Sequence, residues 1–310
     1  MRALVTGASG FVGRYLVSAL RRQGDEVLAC GGPHDDGADF FPIDLADSES
    51  LRAALEAARP DVIFHLAAQT FVPESLRSPI ESYEVNALGS ARLAEAVRAY
   101  DADPSPRIVF AGSAEVYGIR DPNEYPLQEN IDLRPANPYG ASKAAAEAFL
   151  LSGARSFGLD VVVARAFNHI GPNQSERFVV ASLAAQLARI AGGGEPQMYV
   201  GSLSSARDFL DVRDVVEAYL ALARRGEGAQ VYNVCSGRAV TIRDVLRELI
   251  SIARVPVEVR EDPERMRASE IPLSVGSPEK MSKATGWQPK IPLDCSLRDV
   301  YAAALATLSS

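Results

Sequence analysis

The sequence predicts an α/β protein: a doubly wound parallel sheet with helices on both faces, followed by a smaller mixed α/β C-terminal domain. Three observations predict it. Short apolar strands alternate with helical segments from Arg2 to about Phe167. Those strands, such as Val62-Ile-Phe-His65, are too apolar to be half-exposed, which suits a parallel sheet buried on both faces. After Phe167 the alternation breaks, and helical runs are separated by isolated strand-like ones.

Taken in order, Arg2–Thr6 is an apolar strand, Phe11–Gln23 has helical spacing, and Glu26–Cys30 is strand-like. A Gly- and Asp-rich connector covers Gly31–Asp39. Helices are expected near Ser48–Ala58, Ile80–Tyr100 and Pro138–Phe157, with strands at Val62–His65, Arg107–Ala111 and Asp160–Ala164 between and after them. Beyond these, Arg177–Ala191 reads as a helix ended by Gly192-Gly-Gly194, and Gln197–Val200 as a short strand. Val212–Arg224 and Thr241–Arg254 are helical around Val231-Tyr-Asn-Val234. The expected division is a dinucleotide-binding part, 1–167 with 208–235, and a substrate part, 168–207 with 236–310.

At 310 residues the chain can bury a large core. The net charge of -8 argues against a nucleic-acid partner but leaves room for an anionic substrate held by local basic residues. Cys30, Cys235 and Cys295 are odd in number and far apart, without a CxxC, so we expect reduced, buried thiols and no metal site. No apolar run spans a bilayer, and a strand takes the place of a charged leader, so no membrane partner and a cytoplasmic location are expected.

Strand, then Thr6-Gly-Ala-Ser-Gly-Phe-Val-Gly13, then an amphipathic helix is a Rossmann-type dinucleotide-binding arrangement. Gly7 allows the tight turn, Gly10 lets backbone approach a pyrophosphate, and Gly13 lets helix pack on strand. Phe11 and Val12 lie at the helix N-terminus, whose N–H groups suit phosphates. The second strand runs into Gly31-Gly32 with neither a ribose-binding carboxylate nor an arginine for a 2′-phosphate, and Asp35 and Asp36 are read as loop residues. The cofactor is NADP or NAD, with the choice open. Asp44-Leu45 either reaches the adenine or supplies a cap for the next helix. Leu66-Ala67-Ala68 offers small residues for close cofactor passage, and His65 reads as a core histidine. Asn86, unfavourable inside a helix, makes either a cofactor or active-site water contact or a buried helix–helix hydrogen bond.

Tyr139 and Lys143, in Asn137-Pro-Tyr-Gly-Ala-Ser-Lys143, are four residues apart on one helix face. That spacing sets an ammonium beside a phenol and is expected to lower the phenol's pKa, as suits a general acid/base. With the glycine run and Gly112-Ser-Ala-Glu-Val-Tyr-Gly118, this segment resembles the extended short-chain dehydrogenase/reductases. Further runs, among them Arg165-Ala-Phe-Asn-His-Ile-Gly-Pro172, Ala206–Asp214, Arg267-Ala-Ser-Glu270 and Thr285-Gly-Trp-Gln-Pro289, are similar to those of the GDP-4-keto-6-deoxy-D-mannose reductases, which make GDP-D-rhamnose. Two positions depart from that pattern: Ala268 replaces a proline and Ser202 a frequent asparagine.

The resemblance implies NAD(P)H-dependent reduction of a GDP-linked 4-ketosugar. Tyr139 would donate a proton, Lys143 would bind the nicotinamide ribose, and Ser113 would hydrogen-bond the reacting oxygen. Glu115 either aids dehydration, as in related dehydratases, or binds sugar hydroxyls. Asn168 would contact the sugar or the diphosphate, Phe178 and Val179 would bind substrate, Arg207 and Arg267 would clamp the diphosphate, and Glu270 would orient a hydroxyl; Arg207 beside Asp208 also admits a structural ion pair. His169 reads as structural. A 4,6-dehydratase or 4-epimerase that retains its cofactor, and a non-catalytic dinucleotide sensor, are the alternatives. The resemblance also implies a homodimer through the alanine-rich long helices, which otherwise would pack on the sheet.

Overall fold

The computed structural model describes residues 1–32, 40–262 and 271–308. Among these, the first part runs β1 (Arg2–Thr6), α1 (Phe11–Arg22), β2 (Glu26–Gly31), β3 (Phe41–Pro42), α2 (Ser48–Ala58), β4 (Val62–His65), α3 (Val72–Arg77), α4 (Pro79–Tyr83), α5 (Gly89–Ala99), β5 (Arg107–Ser113), α6 (Pro138–Phe157) and β6 (Val161–Ala166). The second part comprises β7 (Asn168–Ile170), α7 (Val179–Ala191), β8 (Gln197–Val200), β9 (Ala206–Asp211), α8 (Val212–Arg225), β10 (Gln230–Val234), β11 (Ala239–Thr241), α9 (Ile242–Ala253), β12 (Glu258–Glu261), β13 (Leu273–Ser274), α10 (Glu279–Thr285) and α11 (Leu293–Leu308).

Seven parallel strands form the main sheet, in the order β10-β6-β5-β4-β1-β2-β3. The order reverses beside β1, so the crevice above β1 and β4 is the place where such sheets bind ligands. Every residue of β4 and β6 is buried, which accounts for their largely apolar character; the exceptions are partnered, His65 by Thr6 and Ser90 and Arg165 by Glu147. Pro42 is tolerated because β3 is an edge strand, with one side free of ladder partners. One apolar cluster, with Val5, Leu16, Leu20 and Tyr219, fills one face, and another, with Leu4, Ile63, Phe110 and Leu150, fills the other.

The smaller part holds β9 between β11, β7 and β13, a separate β8–β12 pair, and helices α7, α9 and α11 around a third core. The sequence-based boundary at 208 falls inside β9, which lies wholly in the smaller sheet. Its alternating side chains explain the crossing: Phe209 enters the third core while Leu210 joins the first. Met281 and Trp287 likewise pack on the large sheet, so the C-terminal segment serves both parts.

The expected helix over Ile80–Tyr100 is interrupted. Between α4 and α5, Glu84–Leu88 widens into a π turn containing the fully buried Asn86. Cys30 and Cys235 are buried, but Cys295 is half-buried, because α11 lies at the surface. Among the described residues, no helix is long and apolar enough to cross a membrane.

Candidate active site

The glycine turn lies where β1 leads into α1. Gly7 has a φ of 68°, and a Cβ there would stand 2.7 Å from the Ala67 backbone nitrogen, so only glycine permits both the turn and its approach to the segment after β4. A Cβ on Gly13 would lie 2.2 Å from the Gly7 carbonyl oxygen, which makes glycine necessary for seating α1 on the loop. Gly10 is different: a Cβ there would meet only that carbonyl, at 3.2 Å, and the residue is exposed. Internal packing therefore explains Gly7 and Gly13 but not Gly10, whose bare backbone faces outward. It precedes a helix with no side-chain cap and no acidic residue in its first turn. Free N–H groups and a helix dipole there suit an anion, and the residues fit a dinucleotide pyrophosphate.

Phe11 and Val12 use their side chains elsewhere. Phe11 lies parallel to His169, with ring centroids 6.2 Å apart, and Val12 packs against the first core. A phosphate at this turn would therefore meet their backbone N–H groups and not their side chains. Tyr15 donates to the Pro172 carbonyl at 3.0 Å, so α1 is tied directly to the segment after β7. His169 bonds the Phe167 carbonyl through Nδ1 at 3.0 Å, and burial lowers its pKa.

Asp44 is exposed, and its carboxylate accepts from the Ala46 N–H at 2.8 Å. The cap of α2 is Asp47, which accepts from Glu49. Leu45 packs toward Gly89, where an added Cβ would approach its side chain to 3.0 Å. Leu66, Ala67 and Ala68 are half-buried beside Gly7. Asp35, Asp36, Arg267 and Glu270, with Ala268, lie outside the described residues.

Asn86 makes the buried contact and not one through a free side chain. Its Oδ1 accepts from the Gln69 N–H at 2.8 Å, and its Nδ2 donates to the Gln69 carbonyl and to Ser142 Oγ, each at 2.9 Å. The amide thereby fastens the loop after Ala68 to helix α6, whose Ser142 donates in turn to the Tyr139 carbonyl at 2.8 Å.

Helix α6 begins with Asn137, whose Oδ1 caps the Gly140 N–H at 2.8 Å, and Pro138 follows at the first helical position. Tyr139, Lys143, Ala146, Glu147 and Leu150 form its buried face. The Ser113 side chain lies close enough to the Tyr139 hydroxyl to lower its pKa. Ser113 ends β5 and also accepts from the Glu115 N–H at 3.2 Å, so it caps the following turn as well. The Glu115 carboxylate accepts from Asn137 Nδ2 at 2.8 Å.

The acidity of this phenol runs opposite to the expectation from spacing. Burial pushes Tyr139 up to about 12, only partly offset by the Ser113 side chain, and the Glu115 charge adds to the rise. Lys143 does share the helix face, but burial lowers its pKa to about 7, and its Nζ lies 4.5 Å from the centroid of the Phe110 ring. Desolvation sets the direction for both groups here.

The substrate-side residues are spread over the second part. Asn168 stands at the exposed start of β7, and Val179 at the exposed start of α7. Phe178 meets Phe71 edge-to-face at 6.0 Å. Arg207 lies half-buried on β9, donating to the Ala206 carbonyl at 3.0 Å. Asp208 is turned away from it: burial raises its pKa, and it accepts from the Ser236 hydroxyl and from the N–H groups of Ser236, Gly237 and Gly276.

Three positions were not singled out from sequence. Asn137 caps α6 and grips Glu115. Ser75 accepts from the Tyr139 N–H at 3.1 Å. Gly140 lets α6 approach the turn after β5, since a Cβ would stand 2.6 Å from the Glu115 carbonyl oxygen. The asparagine-proline pair is itself a helix-start signal; the other two depend on long-range contacts.

A family model described as GDP-mannose 4,6 dehydratase matches residues 4–300. The chain is 40% identical over 300 residues to a GDP-6-deoxy-D-mannose reductase of Pseudomonas aeruginosa, covering 96% of this chain and 95% of that one. Its fold matches a solved structure of RMD from Pseudomonas aeruginosa in complex with NADPH, with a TM-score of 0.89, 38% identity, and coverage of 99% of this chain and 100% of that one. A UDP-glucose 4-epimerase of Thermus thermophilus in complex with NAD gives a TM-score of 0.87 at 33% identity, over 98% and 99% of the two chains. The chain therefore belongs to the GDP-mannose 4,6-dehydratase family of extended short-chain dehydrogenase/reductases, NAD(P)-dependent enzymes that modify nucleotide sugars.

Proposed function

We propose that the protein reduces the 4-keto group of GDP-4-keto-6-deoxy-D-mannose to GDP-D-rhamnose, using NADPH or NADH. The observation that carries this reading is the buried Tyr139 hydroxyl, set against Ser113 and kept protonated by its burial. A bound reduced nicotinamide supplies the hydride to sugar C4. Tyr139 then gives its proton to the oxygen that gains charge, while Ser113 hydrogen-bonds that oxygen and fixes its place. A phenol with its pKa near 12 enters the reaction as an acid at neutral pH, which is the form a reductase needs. Lys143 holds the nicotinamide ribose. Asn168, Phe178 and Val179 take the sugar, Arg207 and Arg267 the diphosphate, and Glu270 a sugar hydroxyl.

Glu115 favours a second reading. Its carboxylate is held by Asn137 close enough to raise the Tyr139 pKa, and in a dehydratase a carboxylate at this place helps eliminate water. The enzyme would then be a redox-neutral 4,6-dehydratase or 4-epimerase. A non-catalytic sensor would have no use for the Ser113–Tyr139 pair. Incubation with GDP-4-keto-6-deoxy-D-mannose and NADPH separates the readings. The reductase consumes one NADPH per sugar, whereas conversion of GDP-mannose to a ketosugar without net cofactor consumption supports the second.

The same reading includes a homodimer. The alanines of α6 do not all pack on the sheet: Ala145, Ala148, Phe149 and Ser152 form an exposed, uncharged stripe. Near it in the fold, α4 carries Ile80, which is 74% exposed. These helices would pair about a two-fold axis. Phe149→Glu is expected to sediment as a monomer, and a monomeric unaltered protein would contradict the proposal. The absence of paired cysteines among the described residues suits a cytoplasmic setting.

A further inference from the structure

We propose that Arg14 binds the adenosine 2′-phosphate of NADP and makes this chain prefer NADP to NAD. The proposal rests on dinucleotide binding, not on the identity of the sugar. The glycine turn is fixed against the end of β2, where the Ala8 N–H donates to the Cys30 carbonyl at 2.9 Å. Arg14 projects from the first turn of α1 into this corner. Its Nε donates to the Ser9 carbonyl at 2.7 Å, and its guanidinium carbon stands 5.7 Å from the centroid of the Phe40 ring. Phe40 directly precedes β3, whose Phe41 pairs with Cys30. Ser9 and Phe40 thus bracket the guanidinium beside the carboxyl end of the second strand.

That position decides between the two cofactors in sheets of this kind. A carboxylate there holds the ribose diol of NAD, and an arginine accommodates the 2′-phosphate of NADP. Here β2 ends in Ala29-Cys30-Gly31, followed by Gly32, so among the described residues no carboxylate stands at the end of the strand. Helix α1 also lacks an acidic residue in its first turn, and among the described residues no carboxylate forms an ion pair with Arg14. With Nε held by Ser9, the two Nη groups remain to grip a phosphate through paired hydrogen bonds. The Ser9 bond and the Phe40 ring restrict the side chain beforehand, which lowers the ordering cost of binding.

The test measures binding, on the full chain, of NADPH, NADH, 2′-phospho-AMP and 5′-AMP. The unaltered protein is expected to bind 2′-phospho-AMP about 10–100-fold more tightly than 5′-AMP. Arg14→Gln should bring that ratio and the NADPH:NADH ratio close to one, with NADH affinity changed by less than about twofold; Arg14→Lys should retain part of the preference. Unchanged NADH binding shows that the Gln variant is folded. Equal binding of the two adenylates by the unaltered protein overturns the proposal. So does a preference that survives in Arg14→Gln, or an equal loss of NADPH and NADH, which would mark a purely structural arginine.

Discussion

Tyr139 has its N–H held by Ser75 and its hydroxyl set beside Ser113, so the proposed proton donor would act from a fixed point. Removing only that hydroxyl tests its role with little change in volume. Tyr139→Phe should lower turnover by about 10²–10⁴ while NADPH binding persists; retained turnover would assign the proton to another group. His65 shows how one residue in the same crevice sets a pH limit. Ser90 donates to the Asn86 carbonyl at 2.6 Å, so His65 Nε2 must be the donor to Ser90 Oγ, and Nδ1 accepts from Thr6. The neutral ring is built into the network, and burial holds its pKa near 3. An unfolded histidine takes up a proton near pH 6.5, so the unfolded state binds more protons between that pH and about 3. Stability from this ring is therefore complete above about pH 6.5 and is lost as pH falls through that window. Denaturant titrations should show about 2–3 kcal/mol of loss attributable to His65 at pH 4.5, absent in His65→Gln. An identical acid loss in both proteins would contradict the neutral assignment.

At the scale of elements, α6 joins stability to geometry. Its cap, Asn137, also grips Glu115, so a single side chain sets both the start of the helix and the orientation of a carboxylate beside Tyr139. Asn137→Ala should cost about 1 kcal/mol in denaturant titration and lower turnover as well. Asn137→Asp keeps a capping oxygen but sets like charges together, so it should restore much of the stability and not the turnover. Equal rescue of both would reduce Asn137 to a cap. The start of α6 was legible because Asn-Pro is a local signal, and so was the face shared by Tyr139 and Lys143. The π turn at Glu84–Leu88 was not, because it follows from Asn86 reaching Gln69 and Ser142, residues that sequence spacing does not bring together.

Across the whole molecule, what was readable was what repeats locally. Strand–helix alternation and the glycine turn gave the parallel sheet, its crevice and the place of the pyrophosphate. The direction of the Tyr139 pKa was not readable, because desolvation depends on how many distant segments close over the phenol. The short strands β11, β12 and β13 were equally hidden; two to four residues carry no period, and their partners on β8 and β9 lie far along the chain. Geometry and family together leave the reaction type between reduction and dehydration, and the reductase reading draws its support from the 40% identity to a GDP-6-deoxy-D-mannose reductase. The most direct test of the reductase reading uses NADPH deuterated at nicotinamide C4 on the transferred face, with GDP-4-keto-6-deoxy-D-mannose as substrate. We predict one deuterium at sugar C4 of a GDP-deoxyhexose product and one oxidised cofactor per product formed. Product without deuterium at C4, or a cofactor that remains reduced, would contradict it.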